Sequence, residues 1–208
     1  MDFEIIYADP CWNYAGRSQH GNVQANASAL DHYNTMTTEY LKRLSVPSIC
    51  ARNCLLFMWT SSPHLEQALS LMKAWGFDYK TIAFVWYKEK TNPGYYTMSQ
   101  CEICLVGKKK GGKIPGPRGA RNVRQFLSEM RGEHSAKPAE IRKRIEQMFP
   151  EQKKIELFAR QKMEGWDVWG NEVESTVELT WGGQKRAREE DKKEAEEASD
   201  EEEEEDED

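Results

Sequence analysis

A set of short apolar runs, separated by stretches with helical spacing, most constrains what this chain can fold into. Cys54-Leu-Leu-Phe-Met-Trp59 and Thr81-Ile-Ala-Phe-Val-Trp-Tyr87 are almost continuously apolar. Strands covered on both faces of a sheet carry such runs, whereas half-exposed strands alternate. Phe3–Ala8, Cys101–Val106 and Lys154–Phe158 are further strand candidates. Leu65, Leu69, Met72 and Trp75 recur at helical spacing after Ser62, a suitable N-cap, and Pro63 at the first helical position. Ile141, Ile145, Met148 and Phe149 do the same after Pro138, and a short helix is expected after Thr37 with Tyr40, Leu41 and Leu44 on one face. Strand–helix alternation of this kind implies an α/β fold with a mostly parallel sheet flanked by helices.

Charge divides the chain in two. The 208 residues carry a formal net charge of -6, from 29 Lys+Arg and 35 Asp+Glu. Residues 184–208 hold 5 of the basic and 15 of the acidic groups, leaving a body (1–183) with 24 and 20. The body is therefore mildly basic, and the tail is a charge run that cannot support a core and is expected to be disordered. Lys185-Arg-Ala-Arg188 at its start fits a targeting signal or merely a charged tail. Within the body, residues 13–35 form a polar stretch. Residues 108–124 carry Lys108, Lys109, Lys110, Lys113, Arg118, Arg121 and Arg124 with no acid. Long loops in a compact domain are usually functional or disordered.

Several classes are excluded. The apolar runs fall far short of the ~20 residues of a membrane helix. Asp2 and Glu4 stand where a secretory segment would be basic. Five cysteines, an odd count, fit reduced thiols and a cytoplasmic setting; that setting is a host's cytoplasm for a phage protein, or the nucleus for a eukaryotic one. Cys50/Cys54 and Cys101/Cys104 raise a zinc reading, but Cys101 and Cys104 fall in a strand-like run, where residues three apart point to opposite faces. Core thiols are the preferred reading, and no metal is expected. His20, His32, His64 and His134 lack ligand spacing and read as surface or loop residues.

The sharpest local feature is Asp9-Pro10-Cys11-Trp12, at the carboxyl end of the first strand candidate. Ligands of open α/β sheets bind beyond the carboxyl ends of strands. A carboxylate there can accept from an exocyclic amine, and a nearby tryptophan offers a face to a flat heteroaromatic ring. A strand ending at Asp-Pro beside a core tryptophan is the structural alternative.

Further segments extend the pattern in a fixed order: Tyr33-Asn-Thr-Met36, Leu56-Phe-Met-Trp59, Glu102-Ile-Cys-Leu-Val-Gly107, His134-Ser-Ala-Lys-Pro138, Ile155-Glu-Leu-Phe-Ala-Arg160 and Gly165-Trp-Asp-Val-Trp-Gly-Asn-Glu172. Together they resemble the adenine N6-methyltransferase family that includes the catalytic subunit of the messenger-RNA adenosine methyltransferase and many bacterial and phage enzymes. The resemblance covers residues 2–173. It implies a Rossmann-like fold in circularly permuted order that binds S-adenosylmethionine, and methyl transfer to the N6 amine of adenine.

Carried over by position, Asp9 and the Pro10 carbonyl accept from the target amine, with Cys11 and Trp12 completing the motif. Trp12, Tyr33 and, more weakly, Tyr14 line the base. Lys137 pairs with the cofactor's carboxylate. Glu156, Phe158 and Arg160 border the cofactor, Asn171 and Glu172 hold its ribose and adenosine part, and Asp9 lies against it. Cys11 departs from the family's proline, removing one fixed φ and placing a thiol beside the site.

The resemblance to compact phage and bacterial members favours DNA as substrate over RNA. The non-catalytic alternative is a nucleic-acid-binding subunit of a methyltransferase complex. The basic segment 108–124 is the expected phosphate contact. Eight residues precede Asp9, so low sequence specificity is expected, unless a partner or second copy in a homodimer supplies more.

Overall fold

The computed structural model describes residues 2–12, 36–94, 96–132 and 136–182. Tyr14, Tyr33, His20, His32, His134 and the tail from residue 184 lie outside the described residues. Seven strands form one sheet: β1 (Phe3–Ala8), β2 (Cys50–Thr60), β3 (Phe77–Asn92), β4 (Ser99–Lys109), β5 (Phe126–Ser128), β6 (Lys154–Leu157) and β7 (Asp167–Trp169). Their spatial order is β5-β3-β4-β2-β1-β6-β7. β1 pairs in parallel with β2 and with β6, β6 with β7, and β3 with β5. Only β4 runs the other way, antiparallel to both β2 and β3. The expected α/β class with a mostly parallel sheet is observed.

Three helices cover the faces: α1 (Thr38–Lys42), α2 (Leu65–Ala74) and α3 (Ala139–Met148). Under α1 and α2, Leu41, Leu44, Leu71, Met72 and Trp75 pack on Ile6, Leu56 and Met58 of the sheet. On the other face Ile141, Ile145 and Phe149 of the α3 region pack on Ile5, Tyr7, Phe57 and Trp59. Both faces of β2 are thus covered, which is why residues 54–60 are buried without alternation. In β3 only Phe77, Phe84, Trp86 and Lys88 are buried. Only the three residues of β5 lie beyond it, so the continuous cover expected from its apolar run is not reached.

The helix starting at Leu65 is present but rotated from expectation. Ala68, Leu71, Met72 and Trp75 face the core, while Leu65 and Leu69 are more than one-third exposed. Its entry is a 3-10 turn, Ser62–His64, so Ser62 lies inside the turn and His64 takes the N-cap position, its Nδ1 2.9 Å from the Ser61 hydroxyl. Thr37 does cap α1, its Oγ1 accepting from the Tyr40 amide at 3.2 Å. β5 and β7 carry no sequence signal as strands, being three residues each. Among the described residues, no helix is long and apolar enough to cross a membrane.

The first strand lies in the middle of the sheet. From β1 the chain moves to β2 on one side, while β6 enters late on the other and leads to β7. The strand order therefore reverses between β1 and β6, and the crevice at their carboxyl ends is where an open α/β sheet binds ligands.

Candidate active site

Asp9 and Pro10 follow β1 at one lip of this crevice, and Phe158, Ala159 and Arg160 follow β6 at the other. Asp9 is held by Lys137, whose Nζ donates to Asp9 Oδ2 at 2.8 Å and lies 3.3 Å from Glu102 Oε2. The ammonium also sits 5.8 Å above the ring of Trp59. Glu102 Oε1 in turn accepts from Lys88 Nζ at 3.0 Å. Four alternating charges, Lys88, Glu102, Lys137 and Asp9, thus run from β3 across β4 to the end of β1. They meet because β4 is antiparallel, which brings its beginning, at Glu102, to the carboxyl ends of its neighbours.

Burial alone would lower the Lys137 ammonium, but Asp9 and Glu102 raise it above an ordinary lysine. Burial alone would raise the Glu102 carboxyl, yet the two lysines hold it below the usual carboxylate range. Glu102 was read only as part of a motif, and Lys88 not at all. The one available signal for Lys88 was a lysine two residues after Trp86 in a strand otherwise buried at that pleat.

Trp12 is 6% exposed. Its indole donates to the Trp59 carbonyl at 3.2 Å, and its ring stacks on His64, centroids 5.9 Å apart at 19°. The residue expected to line the base is thus packed against the end of β2 and His64. His64, read as a surface residue, is 8% exposed because it carries that ring. The Pro10 carbonyl accepts the Trp12 amide at 2.9 Å and keeps its second lone pair. Cys11 is partly buried against the core, and burial first, then the Asp9 charge, pushes its thiol up.

On the β6 side, Arg160 Nε lies 3.8 Å from Glu172 Oε1, so the structure brings two expected cofactor residues together. Phe158 meets Trp169 edge to face at 5.4 Å, and Asn171 is exposed beside them. Phe158 adopts φ +61°, a left-handed conformation costly for an aromatic residue. The loops after β6 and β7 touch through backbone: a Cβ on Gly170 would lie 2.1 Å from the Ala159 oxygen. Glu156, one residue from the end of β6, binds Arg142 Nη1 at 2.9 and 3.0 Å. Burial raises its carboxyl, Arg142 opposes, and the Asp9 charge adds to the rise.

The basic segment 108–124 is not brought to the site. Lys108 and Lys109 end β4, and the reversed strand carries them to the opposite edge of the sheet. Lys109 Nζ donates to the Cys50 carbonyl at the start of β2, and Lys108 to that of Gly112. The backbone amide of Lys110 donates to the Gly76 carbonyl ahead of β3, and that of Lys113 to Asn53 Oδ1. Arg118 lies 5.4 Å over Phe149 at the far end of α3. Seven strand residues separate Lys109 from Glu102, or roughly 20 Å. Arg121 and Arg124 lie on the connection that climbs to β5 and are exposed. The strand direction thus sets Lys108 and Lys109 apart from Asp9.

Cys50, Cys54 and Cys104 are buried thiols in strands. Among the described residues no cluster of His, Cys, Asp or Glu could hold a metal ion.

Comparison with known proteins agrees with this geometry. The MT-A70 family model matches residues 3–172. A type II methyltransferase, M.MunI, from a Mycoplasma species is 46% identical over 195 residues, 88% of this chain and 83% of that protein. The human N(6)-adenosine-methyltransferase catalytic subunit METTL3 is 26% identical over 83% of this chain and 28% of its own length. An Arabidopsis thaliana N(6)-adenosine-methyltransferase MT-A70-like protein is 28% identical over 82% and 24%. The chain thus spans about a quarter of these two longer relatives and most of the bacterial one. A central first strand ending in Asp9-Pro10-Cys11-Trp12, a late β6 at the switch point, and a match over nearly the whole body place this chain in the MT-A70 family.

Proposed function

We propose that the chain is a methyltransferase that transfers a methyl group from S-adenosylmethionine to the N6 amine of adenine in DNA. The observation that carries this is Asp9, held at the carboxyl end of the central strand and facing the crevice between β1 and β6. An exocyclic amine conjugated to a purine is a poor nucleophile, so catalysis rests on holding its lone pair in line with the methyl group. Asp9 and the second lone pair of the Pro10 carbonyl accept the two amine hydrogens. Trp12, locked by Trp59 and His64, forms the floor under the base.

The donor set fits the cofactor. Lys137 matches its carboxylate, Arg160 and Glu172 offer groups of both signs for its polar atoms, Asn171 matches its ribose and adenosine part, and Phe158 and Trp169 supply an apolar wall. When bound, S-adenosylmethionine supplies an electrophilic methyl on sulfur. The chain's residues orient the amine, exclude water from beneath the base through Trp12, and offer Asp9 as the acceptor for the proton the nitrogen loses.

A base inside a duplex is unreachable, so the target adenine is flipped out or single-stranded. The carboxyl edge offers exposed Tyr96, Met98, Met130 and Arg131 around the site for such a strand. Preference for DNA is supported by the higher identity to the bacterial type II methyltransferase than to the adenosine methyltransferases.

The test is incubation of purified protein with labelled cofactor and DNA or RNA, with nucleoside mass spectrometry of the product. N6-methyladenine in DNA is expected, and Asp9→Ala is expected to abolish it. Label found in RNA alone, or on cytosine, overturns the substrate assignment. Absence of both incorporation and cofactor binding overturns the enzyme reading.

A further inference from the structure

A buried cation two steps removed from the reacting atoms invites a question that its own neighbours answer. Lys88 is 5% exposed, and its Nζ is bonded to Glu102 at 3.0 Å. Glu102 uses its two oxygens on different partners, Oε1 on Lys88 and Oε2 on Lys137. Lys137 completes the run to Asp9. Without Lys88, two carboxylates would share one ammonium in a partly dehydrated site, and the cluster would carry a net negative charge.

The backbone around Lys88 is irregular in a way that serves this placement. The β3–β4 register jumps between Tyr87 and Asn92, so four residues of β3, 88–91, stand opposite one of β4, Gln100. Glu89 within the bulge has φ +62°, and its carboxylate accepts from Ser128 of β5 at 3.1 Å. Bulges beside functional sites re-aim side chains, and a left-handed non-glycine residue persists only where its surroundings over-determine it. The two non-glycine residues with positive φ among the described residues, Glu89 and Phe158, both stand at the carboxyl edge. Stability is a weak reason for the arrangement, since a buried ion pair often does no better than an apolar pair of similar volume.

We propose that Lys88 is a positioning residue for methyl transfer: by holding one oxygen of Glu102 it keeps the other on Lys137, fixing that ammonium between Asp9 and the cofactor crevice. The inference rests on the function proposed above. Lys88 touches neither the base nor the cofactor and acts only through Glu102. When Lys137 turns toward a cofactor carboxylate, Glu102 is left with Lys88 as its counterion, so the turn does not strand Glu102. The charged groups facing Glu102 are Lys88 from β3, Lys137 ahead of α3 and Asp9 after β1.

The test compares wild type with Lys88→Met and Lys88→Arg for cofactor affinity by calorimetry and for kcat/KM across pH. Lys88→Met is expected to lower kcat/KM by about tenfold, the equivalent of one pKa unit of lost charge stabilisation. It should also move the acid limb of the profile to higher pH and weaken cofactor binding, while Lys88→Arg restores most of all three. In a Glu102→Gln background, which leaves no orphan carboxylate should the single variant fail to fold, Lys88→Met should add no further loss. Wild-type rates and profile in Lys88→Met, or an additional loss in the Glu102→Gln background, overturn the proposal. An inactive wild type overturns the function reading itself and takes this inference with it, whereas an active wild type with an indifferent Lys88 overturns the inference alone.

Discussion

Cys11 stands where the family's pattern has proline, and its surroundings decide what the thiol can do. It is partly buried, packed on the core and one residue from the Pro10 turn, with burial and the Asp9 charge both disfavouring the thiolate. Since the thiolate is the reactive form, alkylation at neutral pH is expected to be slower than for a free cysteine, and to quicken in Asp9→Asn. Mass-spectrometric rates of iodoacetamide labelling at Cys11 check both. The neighbouring charges respond to pH in opposite directions. Lys137, raised in the fold, contributes stability that is complete below the ordinary lysine value of about 10.4 and is lost as pH climbs through its raised value. Glu102, lowered in the fold, contributes above the ordinary carboxylate value of about 4.3 and loses that contribution as pH falls through its lowered value. Thermal melting followed across pH should therefore decline on both sides, and Glu102→Gln should remove this group's share of the acid-side decline. Asp9 and Lys137 were legible from their motifs. Their partnership was not, because residues 128 positions apart in sequence meet only through the sheet.

At the scale of elements, β6 is tied to α3 by a buried pair between Glu156, a residue expected beside the cofactor, and Arg142. Arg142 is 8% exposed and places Nη1 on both oxygens of Glu156. Removing one partner leaves a buried charge, so Arg142→Met should cost about 3–5 kcal/mol. Arg142→Met with Glu156→Leu should recover most of that, read from denaturant midpoints. Gly170 has a different reason for its identity. The Ala159 amide donates to the Trp169 carbonyl at 3.0 Å, and the Ala159 oxygen occupies the space a side chain would need. Gly170→Ala should force the loops after β6 and β7 apart and weaken cofactor binding before it unfolds the domain; calorimetry beside a thermal melt separates the two. Five strands, β1, β2, β3, β4 and β6, are readable from their short apolar runs, as are the positions of the three helices among the described residues. The rotation of α2 is not, since Leu65/Leu69 and Ala68/Leu71 are both acceptable stripes, and the face of the sheet chooses between them.

At the scale of the whole molecule, charge is arranged by edge. The carboxyl edge holds a neutral, internally paired cluster, whereas the opposite edge carries exposed Arg52, Lys110 and Lys113. The described chain ends beside α1, where the Gly182 amide bonds the Arg43 carbonyl and Trp181 stacks on Tyr40 at 4.2 Å and lies 6.2 Å from Trp169. Deleting residues 189–208 removes a net -13 and takes the chain from -6 to +7. Nucleic-acid affinity should rise as a result, most at low salt where screening is weakest; equal affinities of both forms at low ionic strength would show that the tail does not compete. The layered α/β class, the strand end at Asp9 and the family are written in the chain itself, because apolar periodicity and contiguous motifs are local properties. Which charges meet at the site is a matter of the folded sheet. The reversal of β4 brings Glu102 to Asp9 and carries Lys108 and Lys109 away from it, and strand direction is a relation between strands that no segment carries alone.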